Sequence, residues 1–365
     1  MTEKFGFEIE FLPVGENSKN GDAIAIRYGY PGDYKVMVID GGTKDSGEKL
    51  VNHIQTYYGT SFVDYVVNTH PDKDHASGLT VVLENLEVGE LWMHLPWEHS
   101  TTIRELFKDG RITDNSLSER IKENLNAAYC LYELALEKEI RINEPFEGDK
   151  IGEFTVLSPN KEWYLNELLP YFPGMPETKA NEAFELLRSL QEATRSAIKK
   201  VINYLKETWS EETLKEDVST SERNESSVIL HSILNNTGVL LTGDAGVRAL
   251  NKSVDYAESS GIDLKGCTVI QVPHHGSRHN ISPSVLDKIV GPIIMEGAPA
   301  TKQAYVSTSK GAENYPRRSV SNAFKRRGAN VYATNGQTIR RSSNMPDRKG
   351  WSKSVPLPFY DEVEE

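Results

Sequence analysis

The sequence predicts an α/β domain with a helical elaboration in its middle, and three observations carry that expectation. Strand-like runs alternate with turns and a helical stretch over the first hundred residues. Helical spacing dominates from about 100 to 222, and β-prone runs resume after Ser226. Alternation of this kind is the pattern of a sheet covered by helices. A chain of 365 residues is one large domain or two ordinary ones, and 38% apolar with 26% charged residues suits a globular protein with a real core.

Phe7–Val14 and Ala23–Tyr28 read as strands joined by a Gly/Asn-rich turn, and Lys35–Ile39 as a third that ends at Asp40-Gly41-Gly42. A helix over Ser46–Tyr58 and a strand over Val63–Val67 lead into Asn68-Thr69-His70, and Glu90–Met93 is strand-like. In the middle, Ser116-Leu117-Ser118-Glu119 has the form of a capping box. Leu117, Ile121, Leu125, Ala128, Tyr132 and Leu136 follow at helical spacing. Thr178–Trp209 is a second helical pattern, and Phe154–Leu157 a strand between the two. Val228–Leu234 and Val239–Thr242 form a hairpin that ends at Gly243-Asp244, and Cys267–Val272 ends at Pro273-His274-His275-Gly276-Ser277. Two last strands, Ala304–Ser307 and Asn330–Ala333, flank a helix near Arg318–Arg327.

Composition narrows the function classes. No run approaches the ~18 apolar residues of a membrane span, and Met1–Phe5 lacks the basic and apolar regions of a signal peptide. Cys130 and Cys267 form no CxxC, so reduced thiols and a cytoplasmic location are expected. The net charge of −12 is uneven: residues 310–353 hold eleven Lys/Arg against two acids, a net of +9, which leaves −21 elsewhere. A basic block in an acidic chain is a candidate anion-binding face, and the alternative is a solvated surface. The acidic C-terminal tail is expected to lie away from any such face.

The chemistry concentrates at strand ends, where an α/β fold presents functional groups on a rigid sheet. Asp40, the run His70-Pro71-Asp72-Lys73-Asp74-His75, Asp244 and His274-His275 all fall there, and four of the nine histidines sit in two of these loops. A carboxylate–imidazole mix of this kind suits one or two divalent ions, zinc or manganese first, magnesium or iron as alternatives. The remaining histidines read differently. His94 and His99 are placed on the rim of the site, His231 in a strand interior, and His53 on a helix surface.

His70-x-Asp72-x-Asp74-His75 resembles the HxHxDH signature of the metallo-β-lactamase superfamily, with Asp72 in place of the second His. Within it, the chain is most similar to the soluble hydrolase domain of the competence protein ComEC. The shared pieces are Phe11–Gly15 leading to Gly21-Asp22-Ala23, Val38–Gly42, Thr69–His75, Asn224–Val228, Leu241–Asp244 and Val272–Ser277. They cover about residues 5–100 and 222–340. The resemblance implies a four-layer αββα sandwich over residues 1–340, interrupted by the insertion at about 100–222, with 341–365 as a tail. It also implies roles. His70 and Asp72 hold a first metal, Asp74, His75 and His275 a second, and Asp244 bridges them. Asp40 orients ligands from behind, Asn224 stands at the position of the missing third-motif His, and His274 supports the ligands or is one itself. Asp74 and Asp244 are implied to be catalytic, and His279 is the candidate proton donor. Ser277, Arg278 and Tyr315 are expected to contact substrate, and Arg326 and Arg327 to guide a nucleic-acid backbone, so reversing their charge should weaken polynucleotide binding.

The leading expectation is therefore a metal-dependent phosphodiesterase or nuclease that uses metal-activated water. A small phosphodiester such as a cyclic nucleotide, or a lactam, lactone or thioester, are enzyme alternatives. A binding module with a degenerate site, docking a protein partner or a second copy through the helical insertion, is the non-enzymatic one.

Overall fold

The computed structural model describes residues 4–15, 21–179, 204–312 and 314–364. Two seven-stranded sheets face each other, with helices on their outer sides. The first sheet contains β1 (Gly6–Phe11), β2 (Ala23–Tyr30), β3 (Asp33–Gly41), β4 (Phe62–Val67), β5 (Glu87–Trp92), β6 (Arg141–Asn143) and β15 (Ile339–Ser343), in the order β15-β1-β2-β3-β4-β5-β6. The second contains β7 (Lys150–Ile151), β8 (Phe154–Ser158), β10 (Ile229–Leu234), β11 (Thr237–Leu241), β12 (Cys267–Gln271), β13 (Lys302–Val306) and β14 (Ala329–Ala333), in the order β14-β13-β12-β11-β10-β8-β7. A two-stranded piece pairs β9 (Tyr204–Lys206) with β16 (Glu362–Glu364). This is the αββα sandwich that the sequence predicts.

Strand alternation explains the layering. Phe7, Ile9, Phe11, Ile24, Ile26, Met37 and Ile39 meet Leu230, Val239, Leu241 and Val269 between the sheets. Their neighbours Ala23, Ala25, Val36 and Val38 pack instead with the helices. A strand buried on both faces reads as a near-continuous apolar run, as Ala23–Ile26 and Val36–Ile39 do, whereas β1 carries buried Glu8 and Glu10 on its second face. Helices α1 (Lys44–His53) and α2 (Lys73–Asn85) cover the first sheet, and α5 (Val247–Ser259), α6 (Pro283–Ile289) and α7 (Arg318–Arg326) the second. A Cβ on Gly78 of α2 would stand 1.9 Å from the Gly41 carbonyl oxygen. Helix α2 therefore meets the end of β3 backbone to backbone, which fixes where its first turn sits.

The elements fall close to their expected places, with informative departures. The turn of the β10–β11 hairpin is Asn235-Asn236, both with positive φ, the two-residue form whose twist matches the strands. The expected capping box is shifted: α3 (Asp114–Asn124) is capped by Thr113, reciprocally with Ser116. The stripe from Leu117 to Leu136 covers two helices, α3 and α4 (Asn126–Glu137), broken at Leu125, and Leu136 is exposed. Most of the Thr178–Trp209 pattern lies outside the described residues, and its end, Tyr204–Lys206, is strand. The stretch 100–222 is not purely an elaboration, because β6, β7 and β8 within it belong to the two main sheets. Nor is 341–365 a separate tail: β15 pairs with β1, and β16 with β9. No helix among the described residues is long and apolar enough to cross a membrane.

Candidate metal centre

Parallel pairing of β3, β4, β5 and β6 in one sheet, and of β11, β12, β13 and β14 in the other, sends their C-terminal ends to a common edge. Asp40 ends β3, His70 follows β4, Asp244 follows β11, and His274-His275 follow β12. Asp72 stands at the N-cap of α2, so Asp74 and His75 lie in its first turn. Asp40, His274 and His275 have φ of 53°, 47° and 55°. Side chains rarely tolerate that left-handed region, and such strain collects at functional sites.

Asp244 is the centre. His75 Nε2 lies 3.5 Å from its Oδ2, His70 Nε2 and His274 Nε2 each 3.8 Å, and His275 Nε2 is 3.8 Å from Oδ1. These gaps exceed a good hydrogen bond. They resemble the separation, roughly 3.3–3.6 Å, of two ligands held at about 2.0–2.2 Å by one tetrahedral ion. Groups of ligand atoms within 4.8 Å of one another are Asp40-His70-His75, Asp74-His75-His275, Asp244-His274-His275 and Asp22-His75-Asp244. Asp72 Oδ2 is 3.9 Å from His70 Nε2, with Arg223 on its other oxygen at 3.3 Å.

The far sides of the rings are tied down. Asp40 Oδ2 takes His75 Nδ1 at 2.7 Å. The Thr69 hydroxyl donates to Asp40 Oδ2 at 2.6 Å and lies 3.0 Å from His70 Nδ1, while His275 Nδ1 is 3.1 Å from the Ser307 carbonyl oxygen. A donor bond at Nδ1 selects the tautomer whose Nε2 lone pair is free for a metal. His70 Nε2, His75 Nε2 and Asp244 Oδ1 are buried with no hydrogen-bond partner. Buried polar atoms left this way are costly, so an acceptor-loving cation fits the cluster.

Burial and neighbours pull the ionisations apart. Burial pushes the Asp244 carboxyl up, but His274, His75 and His275 outweigh it and hold it well below the usual range. Burial opposes charge on His75, yet Asp244 and Asp40 raise it well above an ordinary imidazole. Burial lowers His70, and drives His275 down to about 3.

Two residues gain parts that sequence reasoning missed or left open. Asp22, part of the Gly21-Asp22-Ala23 motif but given no role, is buried with its Oδ2 2.8 Å from Gln271 Nε2. Burial pushes its carboxyl up to about 7. Asn224 does not offer its amide to the centre: it bonds Thr220 Oγ1 at 2.7 Å and His274 Nδ1 at 2.8 Å, so His274 projects where Asn224 was expected. The cue for both was present only as position, a polar residue beside a glycine or a doubled histidine at a strand end.

The substrate-side expectations divide. Ser277 is buried beside His275, and His279 is exposed four residues on. Tyr315 sits in the loop that packs on Gly276, where the Arg317 N–H donates to the Gly276 carbonyl at 3.0 Å. Arg278 Nη1 bonds the Glu364 carbonyl oxygen at 3.3 Å, so the acidic tail reaches the site's own loop instead of lying away from it. Arg326 and Arg327 are not surface groups, contrary to expectation: they are 0% and 2% exposed. Arg326 is paired with Glu207 and donates to the Trp209, Thr208 and Glu211 carbonyls. Arg327 forks onto Glu212 and meets Asp287 at 2.8 Å. Arg340 and Arg348 are likewise held by the buried Glu8, and Arg348 by Glu10 as well. Four of the block's arginines are thus tied to carboxylates far away in sequence, while Lys310, Lys349 and Lys353 remain exposed. His94 is also corrected: it is buried between Tyr164 and Phe146, not on a rim.

Residues 20–150 match the family described as the metallo-beta-lactamase superfamily. A search of curated proteins finds no significant sequence match. Among solved structures, a metallo-beta-lactamase-like protein from Thermotoga maritima is 11% identical, with a TM-score of 0.33 over 65% of this chain and 78% of that one. The metallo-beta-lactamase SMB-1 bound to 2-mercaptoethanesulfonate is 10% identical, with a TM-score of 0.30 over 77% and 87%. A mutant of the CmlA beta-hydroxylase is 9% identical, with a TM-score of 0.39 over 94% and 55%. The family match spans β2 to the start of β7, and the His/Asp groups that could hold metal ions lie at the shared edge of the two sheets.

Proposed function

We propose that this chain, which carries a metallo-β-lactamase superfamily domain, is a metal-dependent phosphodiesterase that acts on a nucleotide or nucleic-acid phosphodiester. The observation that carries this reading is the composition of the cluster: Asp244 ringed by four imidazoles, with the Asp22, Asp72 and Asp74 carboxylates around it. A mixed set of imidazoles and carboxylates suits zinc, iron or manganese, ions that activate water for attack at phosphorus. Divalent ions held by His70, Asp72, Asp74, His75, Asp244 and His275 would acidify water and stabilise developing negative charge. The chain's own groups then have definite tasks. Asp40 and Thr69 hold His75 and His70 in register, and Ser307 holds His275. Asp74, half-buried beside His75 and His275, is placed to take the proton of the attacking water. His279 is the proposed donor to the leaving oxygen, and Ser277 and Tyr315 line the approach.

Internal pairing of Arg326, Arg327, Arg340 and Arg348 favours a short substrate over a long polynucleotide, since a polymer needs many free phosphate contacts. The test is a substrate panel with manganese, zinc or magnesium: bis-p-nitrophenyl phosphate, cyclic nucleotides, single- and double-stranded DNA and RNA, a chromogenic lactam and a thioester. Phosphodiester cleavage that disappears in Asp244→Ala is expected. Turnover of the lactam or thioester with no phosphodiester cleaved refutes the proposal.

A further inference from the structure

Strand β15 is an edge strand of the first sheet and β14 of the second, and residues of both line one cavity. Register places Ile339, Arg341 and Ser343 opposite Phe11, Ile9 and Phe7, which belong to the core between the sheets. Arg341 therefore stands on the inner face, where the pleat calls for an apolar side chain. Beside it is a cavity of about 620 Å³ lined by Tyr305, Tyr332, Trp351 and Lys353 among others. A column of rings enters it: Phe11 stacks on Tyr305 at 5.1 Å and Tyr305 on Tyr332 at 5.6 Å, with Tyr332 half-buried at the outer end.

The cations of this cavity are unequal. Arg340 and Arg348 are consumed by Glu8 and Glu10. The Nε of Arg341 is enclosed with no acceptor, and Asp347, which also lines the cavity, pairs with neither Arg341 nor Lys353. A guanidinium nitrogen removed from water without a partner loses its solvation for nothing in return. Arg341 lines the cavity without an ion-pair partner among the described residues, so an anion bound there supplies the counter-charge that they do not.

We propose that this cavity binds a nucleoside monophosphate, its base against the Tyr332 ring column and its phosphate on Arg341 and Lys353. Every base has a face that stacks on an aromatic ring, and a guanidinium matches phosphate geometry. The cavity is of the size that small-molecule sites occupy. Phosphate alone leaves the rings unused, and a neutral aromatic leaves Arg341 unpaired. None of the lining residues belongs to the metal cluster, so the proposal does not depend on the phosphodiesterase reading.

The experiment titrates the full chain, held in excess EDTA, with adenosine and guanosine 5′-monophosphates, adenosine, ribose 5-phosphate and inorganic phosphate. Binding is read by calorimetry and by tryptophan fluorescence. The monophosphates are expected to bind at least tenfold tighter than adenosine or either phosphate without a base. Arg341→Ala and Tyr332→Leu should each weaken them at least tenfold with an unchanged circular-dichroism spectrum. If Arg341→Ala does not fold, exposed Lys353→Ala serves, with the same direction expected. Failure of the monophosphates to bind at millimolar concentration, binding no tighter than inorganic phosphate, or indifference to the cation and ring variants each overturns the proposal. Chelation keeps these outcomes separate from success or failure of hydrolysis at the metal centre.

Discussion

Replacing Arg326 with methionine separates a binding residue from a structural one. Arg326 and Glu207 both have fully buried side chains in contact with each other. The guanidinium also donates to the Trp209 carbonyl at 3.0 Å and the Glu211 carbonyl at 2.9 Å, and its carbon lies 5.1 Å from the centre of the Phe359 ring. Burial already raises the Glu207 carboxyl, and Arg326 is the main influence lowering it. Removing the cation leaves a buried carboxylate and several carbonyls without donors, a loss of about 3–5 kcal/mol. With an unfolding entropy of about 2 cal/mol/K per residue, a chain of 365 residues loses roughly 1.3 °C per kcal/mol, so a fall of about 4–6 °C is expected. The paired change Arg326→Met with Glu207→Leu should recover much of it, because two apolar groups replace two charges. Urea titration at pH 7 measures the stability, and the folded fraction should bind a labelled oligonucleotide as the wild type does. A variant as stable as the wild type that has lost oligonucleotide binding would show that Arg326 acts on ligand after all.

Four other outcomes follow from the same geometry. His94, with both ring nitrogens unpartnered, has its ionisation driven down to about 4 by burial, against 6.5 ordinarily. Between those values the unfolded chain holds more protons than the folded one, so stability falls as pH drops from 6.5 towards 4, by on the order of 3 kcal/mol; His94→Phe should flatten that slope in urea titrations at stepped pH. Adding manganese or zinc to chelated protein should raise the thermal midpoint, by about 3–4 kcal/mol of stability at 100–1,000 times the dissociation constant, and Asp244→Asn should abolish that increment together with bound metal measured by mass spectrometry. Because the metal-free cluster holds its charge partly on a proton at His75, metal uptake should release protons and weaken as pH falls, which calorimetry in buffers of different ionisation enthalpy detects; uptake without proton release would contradict the charge account. Gly78→Ala drives a methyl to 1.9 Å from the Gly41 carbonyl oxygen, so loss of soluble protein or a fall of several kcal/mol in urea stability is expected.

The clustering at the candidate metal centre was legible for a physical reason. Its His and Asp side chains come from short runs at strand ends, so chemistry and position coincide in the one-dimensional record: His70, Asp72, Asp74 and His75 within six residues, His274 and His275 side by side. Helix boundaries were less so, because Thr113 and Ser116 are both good capping residues and Thr113 takes the cap, with Ser116 bonding back to it. Asp22 escaped because an Asp beside a Gly looks like a turn residue. Its role depends on Gln271, a contact between two sheets. The basic block failed most completely. Arg326 meets a residue 119 positions earlier and Arg348 one 338 earlier, and no local pattern records such partners.

Charge balance links these results. Asp22, Asp40, Asp72, Asp74 and Asp244 crowd one edge of the sandwich. Among the described residues, Arg223, on Asp72, is the one Lys or Arg in ion-pair contact with any of them. The chain's arginines are elsewhere, locking Glu8, Glu10, Glu207 and Glu212 inside the fold. A buried cluster of carboxylates with so little protein cation is unfavourable on its own. Protonated imidazole offsets part of that charge, which is why His75 is raised. Divalent ions held there would offset more of it and give the orphaned nitrogens of His70 and His75 a partner. The same accounting singles out Arg341, a cation on the inner face with no carboxylate assigned to it. One site is therefore short of positive charge and the other of negative charge, and each shortage specifies the sign of what binds there.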